Sequence, residues 1–203
     1  YMLFSGIPIL LAFVLVSIYH AAQLGTVVST HLVFNLPELY ASPIEDRHQA
    51  LIFLLLLIGF SIKAPLVPFH TWLPSVSMEA PTQLTALLMG LKLGVYGILR
   101  FAMGLAPSAA VQYSWILGSL GALTLIYGAV IALQQSNLRR LLAYANISQI
   151  GLVIIGLTSL NMQGIQGTLL QLFNFTLVSS CLMLIAGFIQ HRLGSTDVIH
   201  LGG

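Results

Sequence analysis

The chain has 203 residues, of which 58% are hydrophobic and only 6% are Asp, Glu, Lys or Arg. Soluble domains usually carry about 25% charged residues, so this composition excludes a water-soluble globular protein and makes lipid the solvent for much of the chain. The formal net charge of +2 is too small to indicate a nucleic-acid partner, and the single cysteine excludes a disulfide framework.

Long apolar segments predict an all-α transmembrane protein with about six spanning helices, because a spanning helix needs ~20 mostly apolar residues. We expect residues 1–203 to form a single membrane domain. We also expect it to be a piece of a longer polypeptide, since it begins at Tyr1 inside an apolar segment, without an initiator Met or a signal peptide. The predicted spans cover residues 2–22, 50–70, 83–104, 113–135, 138–160 and 164–190.

The second span contains Lys63, in the string SIKAPLVPFH. At 1.5 Å per residue, Lys63 lies roughly 20 Å from the start of the span, which is near mid-depth in a hydrocarbon core ~30 Å thick. Pro65 and Pro68 follow, and each removes a backbone donor and clashes with the carbonyl one turn back. The pair predicts a broken helix at Lys63-Pro65, as transporters have at ion sites. An ordinary proline kink is the alternative.

His70 ends the second span, and Glu79 lies in the link that follows. An imidazole with an unperturbed pKa near 6.5 suits a proton shuttle. The alternative for His70 is an interfacial residue beside Trp72. Glu79 is a candidate for collecting protons at the mouth of a path, and a solvated surface carboxylate is its alternative.

Lys92 lies in the third span, roughly 14 Å from its start. A lysine at mid-depth costs about 2.5–3.5 kcal/mol on insertion scales, so it must face protein or water. Burial disfavours the charged form of a lysine, which suits a group that takes up and releases protons. Lys63 and Lys92 are therefore the candidate proton relay. The alternative is that they pin helices together through buried ion pairs or carbonyls.

The last three spans carry packing and capping signals beside a set of polar residues. Asn137 predicts the start of the fifth span, and Gly194 predicts the end of the sixth. Small residues in the fourth span predict close helix packing: Gly118, Gly121 and Gly128. Polar residues in the fifth span form a candidate polar path, or else they hydrogen-bond neighbouring helices: Tyr144, Asn146, Ser148 and Gln149.

Three strings are specific enough to carry a resemblance: IKAPLVPFHTWLPSVSMEAPT, LKLGVYGILRF and NLRRLLAYANISQIG. They resemble the antiporter-like membrane subunits of respiratory complex I (NADH:quinone oxidoreductase), a family that also includes Mrp antiporter and membrane-bound hydrogenase subunits. LKLGVYGILRF is most similar to the M-type, or chain 4, because L-type subunits usually carry a His at the position of Lys92. PFHTWLP and the Met-Glu of SMEAPT lean slightly toward the L-type.

The resemblance implies a fold of 14 transmembrane helices with inverted repeats, of which this chain covers family helices 6 to 11. It places Lys63 on the lysine of the broken helix 7 and Lys92 on the lysine of helix 8. The family's partner glutamate and its exit residue then lie outside this chain. Two residues depart from the M-type pattern: Ser75 stands where Asp is usual, and Gln149 stands where His is usual. Because glutamine cannot titrate, a relay through the fifth span would need water or a hydroxyl in place of a histidine.

By resemblance, the chain is a proton-translocating subunit in an integral membrane complex of the bacterial inner (plasma) membrane. Electron transfer would occur in other subunits, so we expect no cofactor or metal in this chain. NADH, FMN, iron–sulfur clusters and quinone are implied in partner subunits. The expected partners are neighbouring antiporter-like subunits and the lipid bilayer, with no nucleic acid. The alternatives are an Mrp-type cation/proton antiporter, a membrane-bound hydrogenase subunit, and a structural subunit without transport.

Overall fold

A computed structural model describes residues 2–23, 33–41 and 44–200 of the chain. Apart from one isolated bridge between Asn137 and Asp197, every regular element in these residues is a helix. The α-helices are α1 (Met2–Gln23), α2 (Leu36–Ala41), α3 (Asp46–Lys63), α4 (Trp72–Glu79), α5 (Thr82–Gly90), α6 (Leu93–Gly97), α7 (Met103–Leu105), α8 (Pro107–Gln112), α9 (Ser114–Leu133), α10 (Leu138–Thr158) and α11 (Met162–Leu193). Short 3₁₀ turns cover Phe69–Thr71 and Val198–His200, and a π-helical segment covers Ile98–Ala102.

Five stretches of helix in the described residues are long and apolar enough to cross a membrane: Met2–Gln23, Thr82–Leu105, Ser114–Leu133, Leu138–Thr158 and Met162–Leu193. The all-α transmembrane fold predicted from the sequence is therefore confirmed. α3 is not among the five, because its 18 residues carry Asp46, Arg47 and Lys63. The predicted second span, 50–70, is divided at the break predicted within it, since α3 ends at Lys63 and α4 begins at Trp72.

The chain folds as two compact units, Tyr1–Lys63 with Leu93–Ser114, and Ala64–Lys92 with Trp115–Gly203. The sequence-based expectation of a single domain over residues 1–203 stays a prediction.

In the first unit, glycines bring α1, α3 and α6 close together. A Cβ added to Gly59 of α3 would lie 2.4 Å from Cγ1 of Ile9 in α1, and one added to Gly97 of α6 would lie 2.2 Å from the ring of Phe60. The Phe60 ring stacks on Phe101 with centroids 5.9 Å apart. A side chain at either position would therefore force Ile9 or the Phe60 ring to move.

In the second unit, α9 and α10 pack backbone against backbone, as the glycines of the fourth span predict. A Cβ on Gly128 would lie 2.7 Å from the amide nitrogen of Ser148, and a Cβ on Gly151 would lie 2.5 Å from that of Leu125. Gly121 is equally confined, since its Cβ would lie 3.1 Å from the Gly151 carbonyl oxygen. We call this contact the glycine seam.

The ends of the last two helices follow their sequence signals. The side chain of Asn137 accepts a hydrogen bond from the amide of Arg139, which caps the start of α10. Gly194 ends α11 with a φ of 73°, a left-handed conformation that glycine adopts at little cost. Both predictions are confirmed. A hydrophobic cluster joins α4, α5, α10 and α11: Leu73, Ala86, Met89, Ala143, Ile147, Met183 and Ala186.

Candidate functional site

The predicted broken helix lies where the two prolines indicate it. α3 ends at Lys63, which is half-buried, and residues 64–68 are non-helical before the 3₁₀ turn Phe69–Thr71. Pro65 is buried and Pro68 is exposed. Since proline cannot donate to the carbonyl one turn back, the helix cannot continue through this segment.

A threonine from α9 satisfies the backbone of this first break. The hydroxyl of Thr124, which is fully buried, accepts a hydrogen bond from the amide of Val67 at 3.1 Å. The same hydroxyl donates to the Leu120 carbonyl at 2.7 Å. Backbone groups freed at membrane depth need such partners, because lipid supplies none. Thr124 thus fixes the non-helical segment to α9.

His70 follows the break and is buried between aromatic rings. Its ring meets Tyr127 edge-on with centroids 4.9 Å apart, and it lies 6.3 Å from the ring of Tyr144 in α10. The Pro68 backbone is near the imidazole, but Nδ1 is buried and makes no hydrogen bond of good geometry within the described residues. The structure therefore brings together two of the predicted site residues, His70 and Tyr144.

A second helix break, which the sequence did not predict, lies at Lys92. α5 ends at Gly90, Leu91 adopts an extended conformation with a ψ of 102°, and α6 begins at Leu93. Lys92 therefore lies in a gap within the stretch Thr82–Leu105. No proline marks this gap, so the local sequence gives no sign of it.

The ammonium group of Lys92 lies against the end of α5. It donates to the Met89 carbonyl and to Oδ1 of Asn146, a buried residue of α10. The C-terminal end of a helix carries partial negative charge on its free carbonyls, which favours a cation there. A neutral amide, a carbonyl and the helix end together offset the cost of placing this lysine inside an apolar stretch.

Three hydroxyls on one face of α11 contact the same end of α5. Thr176 donates to the Gly90 carbonyl at 3.0 Å, and Ser179 lies 3.4 Å from the Met89 carbonyl oxygen. Both hydroxyls also lie within hydrogen-bonding distance of carbonyls in their own helix. Ser180 donates to the Ala86 carbonyl at 3.0 Å. The contact is close, because a Cβ on Gly90 would lie 2.4 Å from the Ser180 oxygen.

The two remaining polar residues of the fifth span contact neighbouring helices. The hydroxyl of Ser148 donates to the Leu125 carbonyl of α9 at 2.9 Å, beside the glycine seam. Oε1 of Gln149 accepts a long hydrogen bond, 3.5 Å, from Gln171 of α11. Helix-joining contacts of this kind are the alternative that the sequence left open. A role for Ser148 and Gln149 in a proton path stays a prediction.

Glu79 is exposed at the end of α4 and lines a polar cleft of about 430 Å³. The cleft is also lined by Arg139, Gln190 and His191. Arg139 is buried, and its guanidinium donates to the Ala80 carbonyl and, at 2.9 Å, to Oε1 of Gln190. Arg139 therefore joins α10 to α11 and to the link between α4 and α5.

The predicted relay residues belong to different units. Lys63 lies in the first unit, whereas Lys92, His70 and Glu79 lie in the second, so the predicted transfer from Lys63 to Lys92 stays a prediction. Of the residues around Lys92 and the first break, Asn146 was among the predicted polar residues of the fifth span, but the sequence did not indicate four others: Thr124, Thr176, Ser179 and Ser180. For Thr176, Ser179 and Ser180 of α11, the spacing could have indicated a shared polar face, because positions three and four apart lie on the same side of a helix.

The whole chain, residues 1–203, matches the protein family described as "NADH:quinone oxidoreductase/Mrp antiporter, TM". The chain belongs to this family of membrane proteins. NADH-quinone oxidoreductase subunit M of Rickettsia bellii is 37% identical to it over 157 residues, which are 76% of this chain and 32% of that protein. NADH-ubiquinone oxidoreductase chain 4 of Triticum aestivum is 35% identical over an alignment of 205 positions, which covers 100% of this chain and 39% of that protein.

A solved structure, "Respiratory complex I from Thermus thermophilus with bound NADH", contains a chain with the same fold. The TM-score is 0.87 at 33% identity, and the match covers 98% of this chain and 41% of that chain. The predicted resemblance to M-type, antiporter-like subunits is confirmed. This chain spans between about 32% and 41% of the length of these three proteins.

The chain is an integral membrane protein, and the plasma membrane of a bacterium is the location that its apolar helices and its bacterial relatives support. Within the described residues, no group of three or more His, Cys, Asp or Glu side chains could hold a metal ion.

Proposed function

We propose that this chain is part of a proton-translocating membrane subunit of a NADH:quinone oxidoreductase. Protons would pass through Lys63 and Lys92, driven by electron transfer in other subunits. The observation that carries the proposal is the position of the Lys92 ammonium, in a helix break inside an apolar stretch and bound to neutral oxygens. Membership of the family supports it.

The surroundings of Lys92 suit a group that changes its protonation state. The Met89 carbonyl and the Asn146 amide oxygen accept hydrogen bonds from either an ammonium or a neutral amine. Neither acceptor carries a formal charge, so neither locks the lysine in its protonated form as a bound carboxylate would. A change in charge nearby could then move a proton onto or off this residue.

The other site residues take supporting roles in this proposal. Glu79, at the polar cleft, would collect protons. His70, packed against Tyr127 and near Tyr144, would pass them on, because an imidazole exchanges protons readily near neutral pH. Ser148 and Gln149 would order water along the route. Lys63, at the end of α3, would be the second relay lysine.

The partners in this proposal are the other membrane subunits of the same complex. NADH, FMN, iron–sulfur clusters and quinone would be bound by those partner subunits and not by this chain. The relatives named as subunits of NADH oxidoreductases support this assignment. The chain would take part in catalysis as a translocase module of the enzyme complex.

The test is to replace each lysine in the full-length protein, assembled in its complex and reconstituted in vesicles. Lys63→Met and Lys92→Met remove the amine, whereas Lys63→Arg and Lys92→Arg keep a charge that cannot be lost in a protein. We expect both kinds of variant to slow proton transfer through this subunit by on the order of 100-fold, the low end of what a placed acid–base group contributes. The measurement is protons pumped per electron transferred.

Arg140→Gln is the matched control, because Arg140 is an exposed cation at the start of α10. It should pump like the parent. Full pumping by assembled Lys92→Met and Lys63→Met complexes would overturn the proposal and favour a structural subunit. If the arginine variants pump normally while the methionine variants do not, the lysines act as fixed positive charges.

A cation/proton antiporter of Mrp type is the second candidate, because the description of the matching family names both classes of protein. The two candidates differ in the ion that moves. A module that translocates protons alone has no requirement for sodium, whereas an antiporter exchanges it.

A further inference from the structure

The carbonyls at the end of α5 are bound to side chains instead of to the backbone. In a continuous α-helix, each carbonyl accepts the amide four residues later, so Met89 and Gly90 would be bound to residues 93 and 94. Here the Met89 carbonyl contacts the ammonium of Lys92 and the hydroxyl of Ser179. The Gly90 carbonyl accepts from Thr176. Side chains therefore stand where the amides that would close the helix would lie, with Lys92 and Thr176 as the donors. The single proton of Ser179 has its shorter contact, 2.6 Å, with the Phe175 carbonyl of its own helix, so Ser179 packs against the Met89 carbonyl.

The hydroxyl groups come from one face of α11, which packs against the last turn of α5. Thr176, Ser179 and Ser180 are spaced so that they lie on one side of the helix, and each contacts the last turn of α5. Ser179 is buried, and the Ser180 oxygen occupies the space that a side chain at Gly90 would need. A glycine at position 90 thus permits the approach of the two helices.

Asn146, in a different helix, is the second acceptor for the Lys92 ammonium. It lies in α10, it is 3% exposed, and its Oδ1 accepts from the ammonium. The ammonium is consequently bound both to the end of α5 and to α10. A lysine has several rotatable bonds, and two acceptors from different elements restrict it to one position.

We propose that Thr176, Ser179 and Asn146 are positioning residues that keep the helix open at Leu91–Lys92 and hold the Lys92 amine in place for proton transfer. This inference rests on the proposed function of Lys92. Without the side-chain donors, amides 93 and 94 would compete for the freed carbonyls, and a helix closed through residue 92 would turn the lysine away from Asn146. The hydroxyls act on the relay through the geometry of the break, and they do not themselves carry the proton.

The experiment uses the full-length protein in its reconstituted complex and compares Thr176→Val with Thr176→Ser. Valine has nearly the shape of threonine but cannot donate, whereas serine keeps the hydroxyl. We expect Thr176→Val to slow proton pumping about ten-fold, the equivalent of roughly one hydrogen bond, and Thr176→Ser to restore most of the rate. Asn146→Leu should lower the rate to a similar extent.

Thr158→Val is the matched control, because the Thr158 hydroxyl donates to the Ile155 carbonyl of its own helix. It should pump like the parent. Thr176→Val should add no further loss to a Lys92→Met complex, since both substitutions act on the same step. A further loss there, or equal pumping by Thr176→Val and Thr158→Val, would overturn the inference.

The two proposals fail in different ways. If Lys92→Met pumps normally, the relay itself is refuted. If Lys92→Met loses pumping while Thr176→Val and Asn146→Leu keep it, the relay stands and only the positioning role is refuted.

Discussion

Arg139 of α10 is a buried cation that is hydrogen-bonded to two other parts of the second unit. Its guanidinium donates to the Ala80 carbonyl in the link between α4 and α5 and to Gln190 of α11. Hydrogen bonds to charged groups contribute about 1.5–3 kcal/mol each. We expect Arg139→Ala to lower the free energy of unfolding by at least that amount, because both acceptors lose their donor.

Thermal unfolding of the purified complex or subunit in detergent measures this effect. The neighbouring residue supplies the control, since Arg140 is exposed, and exposed substitutions usually change stability by less than about 0.5 kcal/mol. Equal midpoints for Arg139→Ala and Arg140→Ala would show that the buried guanidinium has no stabilising role.

The sequence selects the two lysines as candidate site residues, and their role in a proton path stays a prediction. Their types and depths were enough to select both, because a lysine deep in an apolar stretch is costly unless it has a partner. The partners themselves could not be predicted. Asn146 is 54 positions from Lys92, and the Thr176 hydroxyl is 86 positions from the carbonyl it binds. Contacts over such separations depend on how the helices pack, which no local pattern records.

At the scale of elements, the two helix breaks have different causes. The break after Lys63 follows from prolines in the chain itself, so the sequence predicted it. The break at Lys92 has no proline; there the Lys92 ammonium donates to Asn146 of α10, and hydroxyls of α11 contact the end of α5. The sequence predicted a third span over 83–104, and the stretch Thr82–Leu105 is long and apolar enough to be one. Within it the structure has α5, α6, the π-helical segment Ile98–Ala102 and α7, a division that the sequence did not predict.

The glycine seam between α9 and α10 predicts a strong effect of small substitutions. A Cβ at Gly151 would lie 2.5 Å from the Leu125 amide nitrogen and 2.6 Å from the Gly121 carbonyl oxygen. Both atoms belong to the backbone of α9, so they cannot rotate away. We expect Gly151→Ala to destabilise the protein by about 1–3 kcal/mol through overpacking, measured as a lower unfolding midpoint in detergent.

Gly167→Ala is the control for this experiment. Gly167 lies in α11 with no heavy atom within 4 Å of an added Cβ, so alanine should be neutral or should stabilise the helix by up to about 1 kcal/mol. A Gly151→Ala protein as stable as Gly167→Ala would mean that α9 and α10 can separate at little cost.

At the scale of the whole molecule, composition alone decided the class of protein. A chain with 6% charged residues cannot cover a soluble surface, and five stretches of the described helices are able to span a membrane. The division into two compact units was not foreseen. Hydropathy reports the depth of each segment in the membrane and carries no information on which helices pack together, so this level of organisation was beyond the sequence.

The choice between the two candidate functions also belongs to the whole molecule, because it concerns the transported ion. We expect pumping by the reconstituted complex to keep its rate when sodium is replaced by potassium on both sides of the vesicle membrane. The proposed lysine relay would offer amines, which exchange protons and do not bind sodium. Measured uptake of sodium that stops in Lys92→Met vesicles would instead assign the chain to cation/proton exchange.

The glycine seam has a consequence for how the two helix breaks respond to one another. Thr124 of α9 binds the backbone beside Pro65 and Pro68, and Asn146 of α10 binds Lys92. Because α9 and α10 are in backbone contact, both breaks are hydrogen-bonded to the same pair of packed helices. Packed interfaces of this kind shift between discrete arrangements and do not deform gradually. A movement that begins at the proline break would therefore reach Lys92 as a displacement of the whole helix pair.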